Sequence, residues 1–446
     1  MKKKDKKQEA PQFVVGLDIG TTKIAAIIGQ KDGEGKIRVM GYGKGESTGV
    51  QHGLVINVKK TIEGIKFAMH CAEKRAEVDV EEVYVGIAGR HVRSKEFKYN
   101  FIRRNGKYNT IEAEEIDKAA NDLYNISVED GETIITVIPQ SFVIDDKRTT
   151  TDPVGEMGER IEGCFQIVTS NKYEIEKIVK SINDSDLMVK EITLEPIASS
   201  LSCLTEEEKK EGVAMVDIGG GTSDVAIYHN GKLVSAKVIP IGGQIITEDI
   251  KKICRITEEQ AEQLKVKHGS CVPDKSNIGN MIAIPNFDGQ PISISEDNLA
   301  RIIEARVKRD IVEKVKQAID ESGYKDHIFR GVVLTGGGAL LRHIKELCQY
   351  VIQRPIRLAI PDIGFASLPN ELRNPVFSTS LGLLKYGIQR EECPDFGDDN
   401  DDEKEGENID NKNKIKMPKI KTPKPENQNA ITAFLNFAKD LARNAD

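Results

Sequence analysis

Short apolar runs and stretches with helical spacing alternate along most of the chain, from about residue 13 to residue 389. Continuous apolar runs are typical of buried strands, and recurrence every three or four residues is typical of helices with one buried face. Their alternation predicts a layered α/β architecture. Each apolar run is interrupted well before the roughly 20 residues that span a bilayer, so no transmembrane helix is expected.

The alternating pattern stops near residue 390. Residues 391–410 are strongly acidic and have no periodic apolar face, so burial cannot offset the entropy cost of ordering them. Residues 411–426 hold six lysines and three prolines, a composition typical of an extended, solvated chain. We therefore predict a disordered charged linker over residues 391–428.

Residues 429–443 return to helical spacing and predict an amphipathic helix. Its apolar face consists of Ile431, Phe434, Leu435, Ala438 and Leu441. Such a face would bind a membrane surface weakly, because it is short, lacks Trp and has balanced charges. The lysines upstream would add about 1 kcal/mol each near anionic lipid. The alternative is a helix that docks on a protein partner or on the chain's own core.

One strand-turn-strand unit occurs twice, about two hundred residues apart. VVGLDIGTTKIAAII begins at Val14, and VAMVDIGGGTSDVAIY begins at Val213. Each combines a buried strand, an acidic residue, a turn of Gly and Thr, and a second strand. This predicts a hairpin and differs from a P-loop, in which a helix follows the glycines.

The two turns predict a phosphate site, because glycines allow close approach and backbone N–H groups can surround phosphate oxygens. The candidate phosphate-binding residues are Gly20, Thr21, Thr22, Lys23, Gly219, Gly220, Gly221 and Thr222. Asp18 and Asp217 precede the turns and would repel phosphate directly. Their predicted role is to hold Mg²⁺ through its waters, since this ion keeps several waters and needs few carboxylates.

Two further glycine segments add to this prediction. Gly242 and Gly243 precede a predicted helix. Gly336, Gly337 and Gly338 follow a predicted strand, lead into the N-terminus of a predicted helix and would line an adenosine pocket. Any one of the four glycine segments alone is typical of an ordinary turn. Together they resemble the actin, Hsp70 and hexokinase superfamily, whose phosphate-1, phosphate-2 and adenosine motifs occur in this order. The resemblance implies an actin-like duplicated ATPase fold that binds ATP and Mg²⁺.

Three more candidates come from the same resemblance. Glu262 and Lys265 lie in AEQLK, which is similar to the Ala-Glu-x-x-Lys stretch that contacts ribose in bacterial actins; the alternative is a plain charged helix face. Glu195 lies in LEPIASS, similar to the segment whose Glu orients the attacking water. The alternative is a helix start, where Glu before Pro suits the dipole. The chain is expected to be at most a weak ATPase. Whether it hydrolyses ATP stays open at this point, because turnover depends on small displacements that no motif specifies.

Other segments resemble the FtsA family of bacterial cell-division actin homologues: VYVGIAGRHVRS from Val83, IPIGGQIITEDI from Ile239, and a Glu-x-Arg stretch at Glu304. The linker followed by an amphipathic helix also fits this family. The implied organisation is a disordered N-terminus (1–11), subdomain 1A (12–82 and 167–212), 1C (83–166), 2A (213–249 and 330–390, with the closing helix of 1A), 2B (250–329), the linker (391–428) and a membrane-targeting helix (429–443).

This resemblance implies a protein that tethers FtsZ filaments, through 2B, to the cytoplasmic side of the inner membrane at the septum. It would self-associate into actin-like filaments and contact later division proteins through 1C. The alternative is a small-metabolite kinase of the hexokinase branch, although no segment is assignable as the carboxylate that activates an acceptor. An Hsp70-type chaperone would need a β-rich domain after the ATPase, whereas residues 391–446 predict only a charged linker and one short helix.

Composition further limits the possible functions of the chain and its compartment. A net charge of −7 argues against a general nucleic-acid binder, whose domain should carry a basic surface. The seven cysteines are scattered without CxxC spacing, which fits buried thiols in the reducing cytoplasm.

Overall fold

The computed structural model describes residues 13–103, 109–275, 279–285 and 291–392. These residues form nineteen strands and eleven α-helices. The strands are β1 (Val14–Ile19), β2 (Lys23–Lys31), β3 (Ile37–Glu46), β4 (Val50–Gln51), β5 (Leu54–Val55), β6 (Glu82–Ile87), β7 (Val92–Ile102), β8 (Glu132–Ile144), β9 (Arg148–Thr150), β10 (Arg160–Asn171), β11 (Met188–Leu194), β12 (Val213–Ile218), β13 (Ser223–His229), β14 (Lys232–Ile239), β15 (Met281–Ile284), β16 (Ile292–Ser295), β17 (Val332–Thr335), β18 (Ile356–Leu358) and β19 (Phe365–Ser367).

The helices are α1 (Val58–Ala76), α2 (Ala113–Asp122), α3 (Lys172–Asn183), α4 (Glu195–Cys203), α5 (Glu206–Glu211), α6 (Gln244–Cys254), α7 (Glu258–His268), α8 (Glu296–Arg306), α9 (Glu313–Glu321), α10 (Ile344–Ile352) and α11 (Ser378–Glu392). A π-helical segment, Val307–Val312, joins α8 to α9. Within the described ranges, no helix combines the length and apolarity needed to cross a membrane.

Both halves of the molecule are built on the same five-strand topology. The first sheet has the order β11-β6-β1-β2-β3, and the second has the order β18-β17-β12-β13-β14. In each sheet an antiparallel three-strand meander is extended by two strands that run parallel to its first strand. Strand β19 adds to the outer edge of the first sheet. The duplicated α/β fold predicted from the repeated unit is therefore confirmed.

The repeated units are hairpins, as predicted. Strands β1 and β2 pair antiparallel, and so do β12 and β13. Every residue of β1 and β12 is buried, because each strand has neighbours on both edges and both faces of its sheet are covered.

A separate four-stranded antiparallel sheet is inserted between β6 and α3. Its order is β7-β10-β8-β9, and we call it the inserted sheet. It has its own core, in which the rings of Phe142 and Phe165 pack edge to face at 5.7 Å between centroids. The sheet docks on the edge strand β14, where the side-chain oxygen of Gln166 accepts a hydrogen bond from the backbone N–H of Ala236 at 3.0 Å.

Two local predictions differ from the structure. The glycine segment at residues 336–338 leads into a 3₁₀ turn, Gly337–Leu340, and α10 begins only at Ile344. Helix α11 extends to Glu392, beyond residue 390, because the Glu391 carboxylate accepts a hydrogen bond from Tyr84 and pairs with Lys190. The rest of the predicted linker and the amphipathic helix lie outside the described residues.

Candidate functional site

The two repeated turns share the same backbone hydrogen bond. The N–H of Gly20 donates to the carbonyl of Lys23 at 3.0 Å, and the N–H of Gly219 donates to the carbonyl of Thr222 at 2.9 Å. The same short loop therefore ends the first strand of each half, and it leaves the intervening N–H groups free of the strand ladder.

The two turns also meet face to face. A methyl group added at Gly220 would lie 2.4 Å from the Cγ2 atom of Thr22, and one added at Gly221 would lie 2.3 Å from the Oγ1 atom of Thr21. Glycine at these positions thus permits the contact between the halves. The structure brings both predicted phosphate turns to one place.

Gly221→Ala should lower both the melting temperature and the affinity for ATP. The added methyl group would also lie 2.8 Å from the Cα atom of His52, and such overpacking typically costs about 1–3 kcal/mol. Gly33→Ala is the matched control, because a methyl group there meets no atom within 4 Å. Calorimetric melting and titration with ATP provide the two readouts. Equal behaviour of the two variants would contradict the close contact.

Four carboxylates converge on the turns: Asp18, Glu195, Asp217 and Asp224. Burial raises the pKa of Glu195 well above its usual range, and the charges of the three aspartates raise it further. Burial and the charge of Asp217 likewise raise the pKa of Asp224. The protein therefore gathers acidic groups where burial and mutual repulsion oppose their ionisation.

Asp217 is held by both halves of the molecule. Ser199, from α4, donates a hydrogen bond to its Oδ2 atom at 2.6 Å, and Thr379, from α11, donates to the same oxygen at 3.2 Å. These bonds favour the charged form, but burial outweighs them, so the pKa of Asp217 is raised. A methyl group at Gly336 would lie 2.2 Å from its Oδ1 atom, which places the predicted adenosine segment next to this carboxylate.

Asp224 is a site residue that the sequence analysis missed. It lies directly opposite Asp217 in the β12–β13 register, whereas Asp18 faces Ala25 in the first hairpin. Thr222 donates to its Oδ2 atom at 3.2 Å. Within the described ranges, its buried Oδ1 atom has no hydrogen-bond partner. The hairpin register was the available signal, since strand pairing places residues 217 and 224 opposite each other.

Lys23 is positioned differently from the other predicted phosphate residues. Its Nζ atom forms a buried ion pair with Asp18 and lies 5.9 Å from the ring centroid of Phe377. This ammonium group also counteracts the rise in the pKa of Glu195. Its contact in the structure is thus with a carboxylate, and its role with phosphate stays a prediction.

The predicted nucleoside residues lie next to the second turn. The N–H of Gly243 donates to the carbonyl of Gly219 at 2.8 Å. Lys265 Nζ donates to the carbonyl of Gly243 at 3.1 Å and pairs with Glu262 at 2.6 Å. The Lys265 side chain is only 12% exposed, so it points inward and not from a solvated helix face. A methyl group at Gly338 would lie 2.3 Å from Ile218 Cγ2 at the end of β12.

Comparisons with solved structures give the class of protein. A chain of the PilM-PilN type IV pilus biogenesis complex matches with a TM-score of 0.59 and 14% identity, over 84% of this chain and 98% of that chain. MreB5 of Spiroplasma citri bound to ADP matches with a TM-score of 0.52 and 17% identity, over 86% and 99%. At such identities the likeness shows the fold, which is actin-like.

Sequence comparisons then give the family. The model for "Cell division protein FtsA" matches residues 214–382, and the model for "SHS2 domain inserted in FTSA" matches residues 89–169. FtsA of Pseudomonas aeruginosa is 33% identical over 86% of this chain and 91% of its own length. FtsA of Escherichia coli K12 is 30% identical, over 84% and 90%. The chain belongs to the FtsA family of cell division proteins, as its motifs predicted.

Proposed function

We propose that the protein binds ATP with Mg²⁺ between its two halves and tethers FtsZ filaments to the inner face of the cytoplasmic membrane at the division septum. One observation supports the nucleotide site above all. Two turns with the same hydrogen bonding, one from each half, meet beside four buried or half-buried carboxylates.

The chemistry of the site fits a magnesium-bound triphosphate. Ionised carboxylates here repel one another, and Asp224 Oδ1 has no hydrogen-bond partner among the described residues, so a hydrated divalent cation would relieve both costs. Asp18 and Asp217 would hold Mg²⁺ through its waters, and the N–H groups and Thr hydroxyls of the turns would bind phosphate oxygens. The metal would neutralise phosphate charge, and Glu195 would orient a water molecule. The adenosine would be bound by Glu262, Lys265 and residues 336–338.

In this proposal the nucleotide sets the angle between the halves more than it drives chemistry. Asp217 belongs to the second half. The hydroxyls that hold it come from α11, which packs on the first sheet, and from α4, which contacts both sheets. A ligand bound at Asp217 would therefore act on both halves. Subdomain 2B would bind FtsZ, and 1C and 2B would mediate self-association. Later division proteins would contact 1C.

Co-assembly of the full chain with anionic vesicles, ATP and purified FtsZ tests the proposal as a whole. We expect filaments on the vesicles that recruit FtsZ only when ATP is present. If ATP changes neither polymerisation nor FtsZ binding, the nucleotide does not set the assembly state. Robust phosphoryl transfer to a sugar or small acid would instead support the kinase alternative.

Removal of residues 426–446 should abolish sedimentation with vesicles that contain anionic lipid, because it removes the predicted apolar face. Phe434→Ser should weaken binding in the full chain, and Asn436→Ser, on the polar face, is its matched control. Sedimentation of the shortened protein at the level of the full chain would contradict membrane anchoring by this segment.

A further inference from the structure

The hairpin of β4 and β5 places its turn, His52 and Gly53, against both phosphate turns. The N–H of Gly53 donates a hydrogen bond to Thr21 Oγ1 at 3.2 Å. A methyl group at Gly221 would lie 2.8 Å from His52 Cα and 3.0 Å from His52 N. This two-residue turn thus contacts the phosphate turn of each half.

The other side of the same turn contacts the chain where the inserted sheet begins. A methyl group at Gly53 would lie 2.3 Å from the carbonyl oxygen of Ala88 and 2.7 Å from Gly89 Cα. Gly89 has a φ of +144° and is the first residue matched by the inserted-domain model. Gly53 therefore lies between Thr21 and the entry to the inserted sheet and contacts both.

The base of the hairpin is held on two helices. The carbonyl of Gly49 accepts hydrogen bonds from the N–H groups of Ile56 and Asn57, and Asn57 caps α1. Lys177, from α3, donates to the carbonyl of Val55 at 3.0 Å. The base of the hairpin is therefore held in place, and a displacement of the turn would move the backbone at Gly89 more than it would move the base.

His52 has two features that point to a ligand. Its φ is +50°, a left-handed conformation that is uncommon outside glycine and costs free energy. Its ring nitrogen Nδ1 is buried and has no hydrogen-bond partner in the described part of the chain, although buried polar atoms usually have one. A phosphate oxygen, or a water bound to it, beside the contact of Thr21 with Gly221 would supply that partner.

We propose that the His52–Gly53 turn couples the nucleotide to the inserted sheet. His52 contacts the terminal phosphate of ATP, and Gly53 passes the resulting displacement to Gly89, so the orientation of the inserted sheet differs between ATP and ADP. This inference rests on the proposed ATP site and deepens it. The hydrogen bond between Gln166 and Ala236, which docks the inserted sheet on β14, would therefore differ between the ATP-bound and the ADP-bound protein.

Hydrogen exchange of the full chain tests this coupling. In the wild type, a non-hydrolysable ATP analogue should slow exchange in residues 88–103 relative to ADP by about tenfold, within the usual range of coupling between sites. His52→Asn should remove this difference and weaken binding of the analogue, while ADP affinity stays unchanged. Asn tolerates the left-handed backbone, so the fold should persist. His70→Asn, at an exposed position of α1, should behave as the wild type.

The outcomes separate the two proposals. If the wild type binds neither nucleotide, the proposed function fails. If it binds both and exchange in residues 88–103 does not differ, the coupling is wrong and the ATP site stands. If His52→Asn keeps the difference in exchange between the ATP analogue and ADP, His52 does not have the proposed role. Unchanged ADP affinity shows that this variant is folded, and the wild-type comparison decides the coupling without it.

Discussion

Asp217→Ala should reduce the affinity for MgATP by about 10–100-fold, the usual effect of removing a group that orients a metal through its outer shell. Ser199 and Thr379 lose an acceptor, but their own oxygens are 3.0 Å apart and can bond to each other. The variant should therefore stay folded. Titration calorimetry with and without Mg²⁺ measures the effect.

Comparison of ATP binding with and without Mg²⁺ shows whether Asp217 acts through the cation. Without Mg²⁺, wild type and variant should bind ATP with similar affinity, because Asp217 would act through the cation. Asp326→Ala is the matched control, since its carboxylate is 87% exposed. An Asp217→Ala variant that binds MgATP as tightly as the wild type would show that this carboxylate does not hold the metal.

Asp224→Asn should stabilise the nucleotide-free protein increasingly as the pH rises above about 4, where free carboxyl groups ionise. Burial raises the pKa of Asp224, so the folded state keeps a proton that the unfolded chain has lost. Stability is thus lost as the pH rises from the ordinary carboxyl pKa towards the raised one. Each pH unit in that window corresponds to about 1.4 kcal/mol for one group.

Urea unfolding between pH 5 and pH 8 checks this prediction as the difference between variant and wild type. The difference cancels the opposite contributions of carboxyl groups whose pKa is lowered, such as Asp310 beside its arginines. Asp326→Asn, at the exposed site, should give no such trend. MgATP should stabilise the wild type more than Asp224→Asn. A difference that does not grow with pH would contradict the raised pKa.

These two predictions describe one property of the site. Glu195, Asp217 and Asp224 destabilise the nucleotide-free fold when they ionise, because burial and neighbouring negative charges oppose their charged forms. Clusters of this kind are typical of functional sites, where a bound cation supplies the missing charge. The stability of the protein should therefore depend on bound ligand more strongly than it would if these residues formed an ordinary structural core.

Local sequence patterns were enough to predict the hairpins, the duplicated α/β fold and the family. A hairpin is defined by two adjacent runs and the turn between them, so its signal lies within about 15 residues of chain. The repeat then implied that two such hairpins share one site. Asp224 was within reach of the same reasoning, because its position follows from the strand register.

Other parts of the site have no local signal. Thr379 lies 162 residues from Asp217 in the chain, and Gly53 lies 32 residues from Thr21. Lys23 follows a phosphate turn in sequence, yet burial beside Asp18 gives it a carboxylate partner. The sequence by itself determined which segments become strands, turns and helices, since these depend on near neighbours. Only the tertiary structure decided which carboxylates, hydroxyls and turns meet, because packing of the two halves brings together residues distant in the chain.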